Sequence, residues 1–577
     1  MDEKLPLVAG DNWRQPGRGR EKRRGSWIIA LYLACATLGA VTYLRPTSRQ
    51  ISTPSGDVKI RYSGEKISWT SCGTVANRPL ECSSIDVPMD QFNETNSEDK
   101  TFSIPLVRLR GRNATKNILL NPGGPGGSGT EFVFRRGESL SDIVGEEFHL
   151  LSFDPRGINA SRPLASCYPD DAIRQKLQNV RQEKIPEDSG ELYAWTQNFV
   201  KACAENAGEH GAYINTPQTA ADMNSILDAV GQTDMLYWGF SYGTLLGQTY
   251  ATLFPERSKR VIIDGVANQF DWYEAKLDTE AFEDSYNVFR GFLDECYKAK
   301  DNCSLSALAD NKEELEKKLL PAIEKLRDEP LGVYVNSTTY GLLQYSDVWY
   351  SGIFSALYKP TKWYELADHL AALLQGNGTA AFLAYHDDGS IAKNTSDANK
   401  FVTLNDGASG PTYWQGDRKD LLDFLLPYFG QFQFSESEFT TYFAKQLWSI
   451  PKSHGYVPRR GVQTAHPLLV LSTTFDPICP LVSARSAVDT FEGSRLVEVL
   501  GYGHCSIAMP SMCLARHVRA YLLDGSLPDE GTQCEIDAPY FVKPREDGTV
   551  VATLELTDPE EQKIHLAQLD LATNSWF

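Results

Sequence analysis

The sequence has no surplus of basic residues, no C-x-x-C pair, no H-E-x-x-H and no internal repeat. Each absence narrows what the chain can be. Lys and Arg number 56 against 75 Asp and Glu, a net charge of −19. Phosphate binding needs a basic face, so no nucleic-acid partner is expected. Without either metal pattern, neither structural nor catalytic zinc is expected, and no cofactor is implied. Hydrophobic and charged fractions of 42% and 23% are those of a folded globular protein. The length of 577 residues suffices for a large core with inserted or appended domains. The acidity serves solubility; attraction of cationic substrates is the sharper alternative.

The N-terminus is basic and then apolar. Arg14, Arg18, Arg20, Lys22, Arg23 and Arg24 precede an uncharged run over 25–44. About twenty such residues span a bilayer as a helix, and the basic flank faces the cytoplasm. The pattern predicts a signal-anchor, and a single-pass type II membrane protein of the secretory pathway with a lumenal or extracellular body. A cleaved signal peptide, giving a secreted protein, is the alternative. Seven N-x-S/T sequons, at Asn93, Asn113, Asn159, Asn302, Asn336, Asn377 and Asn394, lie beyond the anchor. Of 11 cysteines, Cys35 lies in the apolar run and the others beyond it. Their even number fits disulfides in an oxidising compartment. Short spacings suggest Cys72–Cys82, Cys167–Cys203, Cys296–Cys303 and Cys513–Cys534, which leaves Cys479 with Cys505.

Past a polar stem, strands are expected around Ile85–Val87 and Phe102–Leu109. An apolar strand from Asn117 then enters Asn121-Pro-Gly-Gly-Pro-Gly-Gly-Ser-Gly129. A flexible linker is the plain reading, but prolines stiffen the loop and a buried-type strand feeds it. No Lys-Ser/Thr closes it, so it is not a P-loop. In an α/β-hydrolase this loop supplies an oxyanion-hole amide, and glycines let it approach the substrate. The strand from His149 ends in Asp154-Pro-Arg-Gly157, where Asp154 and Arg156 are expected to brace loops rather than catalyse. Residues 170–210 read as helical. Thr216–Gly231 reads as a helix capped by Thr216, with Ala220, Met223, Ile226, Leu227 and Val230 on one stripe.

Next comes a short strand from Met235, a turn containing Gly239-Phe-Ser-Tyr-Gly243, and a helix. This G-x-S-x-G suits a nucleophile elbow, with Ser241 at the tip of a strained turn. Arg260–Gly265 reads as the following parallel strand. Residues 267–462 are aromatic-rich and helical, for example Asn311–Leu326, and read as an inserted lid. The sheet resumes at Pro467–Pro477, and Arg495–Leu500 leads into Gly503-His-Cys505. Helices follow near Ser511–Leu523 and Pro559–Leu571. The expected fold is an α/β-hydrolase with a doubly wound, mostly parallel sheet. Its segments are a cytoplasmic tail 1–24, the anchor 25–44, a stem 45–66, core 67–266, lid 267–462, core 463–533 and a tail 534–577.

Ser241, Asp476 and His504 follow the order Ser…Asp…His of that fold, each at a strand end where such sheets place ligands. His504 would take the serine proton and Asp476 would orient the imidazole. Backbone amides of Tyr242 and Gly124 would hold the oxyanion. Each residue alone also suits an ordinary turn; their joint occurrence is what argues for a triad.

Together with Phe153-Asp-Pro-Arg-Gly157 and Thr474-Phe-Asp-Pro477, these motifs resemble the tripeptidyl aminopeptidase-like branch of the proline iminopeptidase family, over roughly residues 70–535. The resemblance implies a serine exopeptidase acting on peptides with a free N-terminus, and a TAP-like region within 463–533. Pro122 stands where the proline iminopeptidases carry histidine, which suits the tripeptidyl branch. Carboxylates facing the pocket would then receive the substrate ammonium; Glu274, Glu280, Glu283 and Asp284 are candidates, or else a solvated helix face. An esterase or other acyl hydrolase of a small metabolite uses the same triad, and an inactive fold used for binding is the third reading.

Overall fold

The computed structural model describes residues 59–574 except 76, 179, 181–182, 387–394, 544–553 and 555. The predicted anchor over 25–44 and the sequon at Asn394 lie outside the described residues. Among the described residues, no helix is long and apolar enough to cross a membrane.

Among the described residues twelve strands form in chain order: β1 (Thr70–Val75), β2 (Arg78–Pro88), β3 (Thr101–Leu109), β4 (Lys116–Asn121), β5 (Phe148–Phe153), β6 (Met235–Phe240), β7 (Ser258–Asp264), β8 (Leu331–Asn336), β9 (Thr339–Leu343), β10 (Leu469–Phe475), β11 (Arg495–Tyr502) and β12 (Thr532–Glu535). Ten of them make one sheet in the order β1-β2-β3-β5-β4-β6-β7-β10-β11-β12. Pairing is antiparallel from β1 to β5 and parallel from β5 to β12. Register places Phe240 beside Asp264, and Asp264 beside Leu471, so the carboxyl ends of the central strands come level.

The central strands are continuous apolar runs because both faces are covered. Met235 and Tyr237 enter one core with Met223, Ile226, Leu245 and Val470. Leu236, Trp238 and Phe240 enter the opposite core with Phe132, Leu471 and Leu514. This is the period of two expected of a strand sandwiched between helical layers. The helix Thr216–Ala229 forms as expected with one shift: its N-cap is Asn215, whose side chain accepts from the Gln218 amide. Thr216 instead donates its amide and hydroxyl to Asp406. Thr216 was expected as the cap because it precedes Pro217, but proline is tolerated at the second helical position as well as the first.

Between β7 and β10 the chain leaves the sheet for helices, including Ser285–Ala299, Trp363–Leu374 and Arg418–Gln431, with a core of their own. The antiparallel hairpin β8–β9 lies within it. The C-terminal helix Pro559–Thr573 packs on the helix Gly129–Val144, with Lys563 paired to Asp142 and Ser139 donating to Asp570.

Disulfides join Cys72–Cys82, Cys167–Cys203, Cys296–Cys303 and Cys513–Cys534. The fifth expected pair does not form: Cys479 and Cys505 are both buried free thiols. Direction is the reason. Cys505 has φ 63, and its sulfur lies 2.5 Å from where a Cβ on Gly265 would stand, so it packs on β7's end. Asn93, Asn113, Asn159, Asn302, Asn336 and Asn377 are exposed. Asn159 differs: its side-chain nitrogen donates to Ser128 and to Asp154, and a glycan there would displace one of these bonds.

Asp154 and Arg156 brace loops. Asp154 accepts from Ser128, from the Thr130 amide and hydroxyl, and from the Ala160 amide. Arg156, with no exposed surface, forms a two-pronged pair with Asp222 and donates to the Pro88 and Met89 carbonyls. Removing one partner of such a pair strands a buried charge. Arg156→Met is expected to lower the unfolding free energy by about 3–5 kcal/mol. Urea denaturation checks it, and a loss under about 1 kcal/mol would contradict the bracing role.

Candidate active site

The site is built from the ends of β4, β6, β7, β10 and β11. At the end of β6 the chain turns sharply, and Ser241 takes φ 56, ψ −126 before the helix Tyr242–Leu253 begins. Small neighbours make the turn possible. A Cβ on Gly239 would stand 2.4 Å from the Gly243 carbonyl, and one on Gly243 2.8 Å from the Asn121 carbonyl. The Ser241 amide donates to the Asp264 carbonyl at 3.0 Å, which anchors the turn to β7.

The glycine loop after β4 lies against this turn. A Cβ on Gly123 would meet the Phe240 carbonyl at 2.4 Å, the Ser241 Cβ at 2.9 Å and the Tyr242 amide nitrogen at 3.2 Å. Gly123 and Gly124 have φ +102 and +113, conformations that favour glycine. The Gly123 amide is engaged by the Asn121 side chain. The Gly124 amide donates to no other backbone group among the described residues.

Asp476 follows β10 and has no exposed surface. Its carboxylate accepts from the amides of Ile478 (3.0 Å), Cys479 (2.9 Å) and Cys505 (2.8 Å), and lies 2.9 Å from His504 Nδ1 through either oxygen. His504 Nε2 is buried and has no hydrogen-bond partner among the described residues. The structure therefore brings Asp476 and His504 into direct contact, with the second ring nitrogen unengaged.

Several supporting residues carried no motif. The Asp264 carboxylate accepts from the Ser506 amide and hydroxyl, both at 2.7 Å, and from Trp238 at 3.3 Å. Through its carbonyl and side chain it ties the serine turn to the histidine loop. Its place at the end of an apolar parallel strand was the available signal. The Tyr242 hydroxyl meets Thr216 at 2.5 Å, and Thr216 is bound by Asp406, so the residue after the serine is held from the facing helix. Of the carboxylates after β7, Glu274 and Glu283 are exposed, Glu280 is engaged by Asn268 and Ser483, and Asp284 by Asn287. Burial pushes the Cys479 and Cys505 thiols well above their ordinary range.

Comparison with known proteins agrees with the fold. Residues 116–314 match the family described as alpha/beta hydrolase fold, and residues 439–534 match the one described as TAP-like protein. Serine protease Hip1 of Mycobacterium tuberculosis is 28% identical over 501 residues, covering 82% of this chain and 91% of the relative. The chain is a serine hydrolase of the α/β-hydrolase fold. Other relatives of this hydrolase are tripeptidyl aminopeptidase of Streptomyces lividans and carboxylesterase B of Mycobacterium tuberculosis. The first is 25% identical, covering 81% of this chain and 86% of the relative. The second is 26% identical, covering 81% and 89%.

Burial pushes the Asp264 carboxyl up to about 6 from its ordinary 3.8, against the lowering pull of Ser506 and Trp238. The folded hydrolase thus holds this proton to higher pH than the unfolded chain does. Between the two values stability falls as pH rises, and Asp406 and Asp271, also raised to about 6, add to the slope. Asp264→Asn is expected to flatten that slope by up to about 1.4 kcal/mol per pH unit, read from urea unfolding between about pH 4 and 6. An unaltered slope would mean that Asp264 ionises at its ordinary value.

Proposed function

We propose that Ser241 is the nucleophile, His504 the general base and then acid, and Asp476 the residue that fixes the imidazole, in a serine exopeptidase that releases residues or tripeptides from free peptide N-termini. The observation that carries the reading is the Asp476–His504 contact at 2.9 Å with Nε2 unengaged, beside a strained serine turn. In the first step His504 Nε2 takes the hydroxyl proton as Ser241 Oγ attacks the scissile carbonyl. The tetrahedral oxyanion is received by the amides of Tyr242 and Gly124, each worth about 10²–10³ in rate in comparable sites. His504 then passes the proton to the leaving amine. Water repeats the cycle on the acyl-enzyme and frees the acid product.

The peptidase choice draws support from the relatives named serine protease and tripeptidyl aminopeptidase. Placement in the tripeptidyl branch of the proline iminopeptidases rests on the glycine-loop motif and the TAP-like match. Residues 267–462 would serve as the lid that admits the peptide end. The relative named carboxylesterase B favours a second reading, hydrolysis of small esters by the same triad. Four disulfides support a body that faces an oxidising compartment, consistent with an anchor over 25–44.

A fluorophosphonate probe is expected to label the native enzyme and not Ser241→Ala, with peptide turnover in that variant lower by about 10⁶. A panel of free peptides, their N-acetylated forms and simple aryl esters decides between the readings. Strong preference for the free amine is expected. Indifference to N-acetylation removes the exopeptidase reading, and failure of the native enzyme to label removes the triad.

A further inference from the structure

His504 is held from two sides, and only one of them belongs to the triad. Asp476 holds Nδ1. On the other side stands Tyr358, from the segment between β9 and β10. Its carbonyl accepts the His504 amide at 2.9 Å. Its ring stands edge-on to the imidazole, with centroids 4.7 Å apart and planes at 67°. Pro360 closes the same side: a Cβ on Gly503, where φ is +119, would lie 2.8 Å from the Pro360 Cδ. The backbone before the histidine is thus shaped to fit the Tyr358–Pro360 segment.

That segment is tied down in turn. Lys359 Nζ donates to the Leu571 carbonyl at 2.6 Å, and the Thr361 hydroxyl to the Ala572 carbonyl at 2.8 Å. Both acceptors belong to the last turn of the C-terminal helix, where carbonyls are open to donors from outside the helix. Burial lowers the Lys359 ammonium to about 7 from its ordinary 10.5; in its charged form it also meets the negative end of the helix dipole. The helix itself is fixed to the hydrolase core. Gln568 donates to the Ser511 carbonyl, Arg516 pairs with Glu561, and Leu571 is fully buried.

We propose that Tyr358 is a positioning residue for His504, and that the C-terminal helix Pro559–Thr573 holds Tyr358 in place through Lys359 and Thr361. Tyr358 stops the imidazole from swinging off the line between Asp476 and Ser241. The C-terminal helix, which lies beyond both matched families, is thereby part of the working site. Misplacement of a catalytic group by about 1 Å can cost about a hundredfold in rate without affecting substrate affinity.

The test uses the full chain. Tyr358→Ala and Lys359→Met are expected to lower kcat about tenfold or more with KM changed less than about twofold. Tyr358→Phe keeps the ring and the carbonyl, and is expected to stay within about twofold of the unsubstituted enzyme. Rates are counted per site by end-point fluorophosphonate titration, so unfolded protein does not enter. Where Lys359→Met does not fold, Thr361→Val replaces it, with the same direction expected. Unaltered kcat per site in Tyr358→Ala overturns the proposal, as does an equal loss in Tyr358→Ala and Tyr358→Phe. An unaltered kcat per site in the Lys359 or Thr361 variant overturns the role of the C-terminal helix. The inference rests on His504 being the general base. An active His504→Ala variant would remove that premise, whereas an inactive one beside an unaffected Tyr358→Ala would remove the positioning role alone.

Discussion

The hydrogen bond from the Ser241 amide to the Asp264 carbonyl is the constraint on which the site depends. A serine at φ 56, ψ −126 sits where side chains other than glycine are disfavoured, at a cost of about 1–3 kcal/mol. It persists only because its surroundings leave no alternative. The neighbouring strand receives the amide, Gly239 and Gly243 let the chain double back, and Gly123 lies flat against the turn. The same Asp264 takes the Ser506 amide and hydroxyl on its side chain. One residue at a strand end thereby sets the distance between the serine turn and the histidine loop. The register of β6, β7 and β10 is what brings these ends level. A one-residue slip would turn Asp264 to the other face.

The helical insertion does more than cover the sheet. Its core is aromatic and separate from the two cores of the sheet, yet Phe475 and Tyr502, at the ends of β10 and β11, pack against it. The loops carrying Asp476 and His504 therefore leave strands whose last residues are seated in the insertion.

Much of this was legible because burial leaves a mark on sequence. Strands covered on both faces must be apolar throughout, so β4, β5, β6, β7 and β10 were found within a few residues. Ser241, Asp476 and His504 stood out because they sit where those runs stop. Capping was misread by one position, since Asn215 and Thr216 are both competent caps and the contact with Asp406, 190 positions away, decides between them. Tyr358 and Lys359 had no signal at all. The contact from Lys359 to Leu571 spans 212 positions and uses a backbone carbonyl, which any residue provides. Of the expected cysteine pairs only Cys479–Cys505 failed, for a related reason. An even count and a remaining pair say nothing of direction, and Cys505 points to Gly265.

Those two thiols still serve the site, as packing rather than as a bond. Raised well above their ordinary range by burial, they remain protonated and inert, and behave as small hydrophobes. Cys479 Sγ lies within 4.8 Å of ligand atoms of both Asp476 and His504, and all three residues are buried. A buried carboxylate there is costly unless its lone pairs are met. Three backbone amides and the imidazole meet them, two of those amides being the cysteines' own. Each cysteine thus supplies a donor from its backbone and dryness from its side chain. The low local dielectric that results strengthens the attraction between Asp476 and an imidazolium at His504. No disulfide holds the loops of Asp476 and His504 together; the carboxylate itself gathers both.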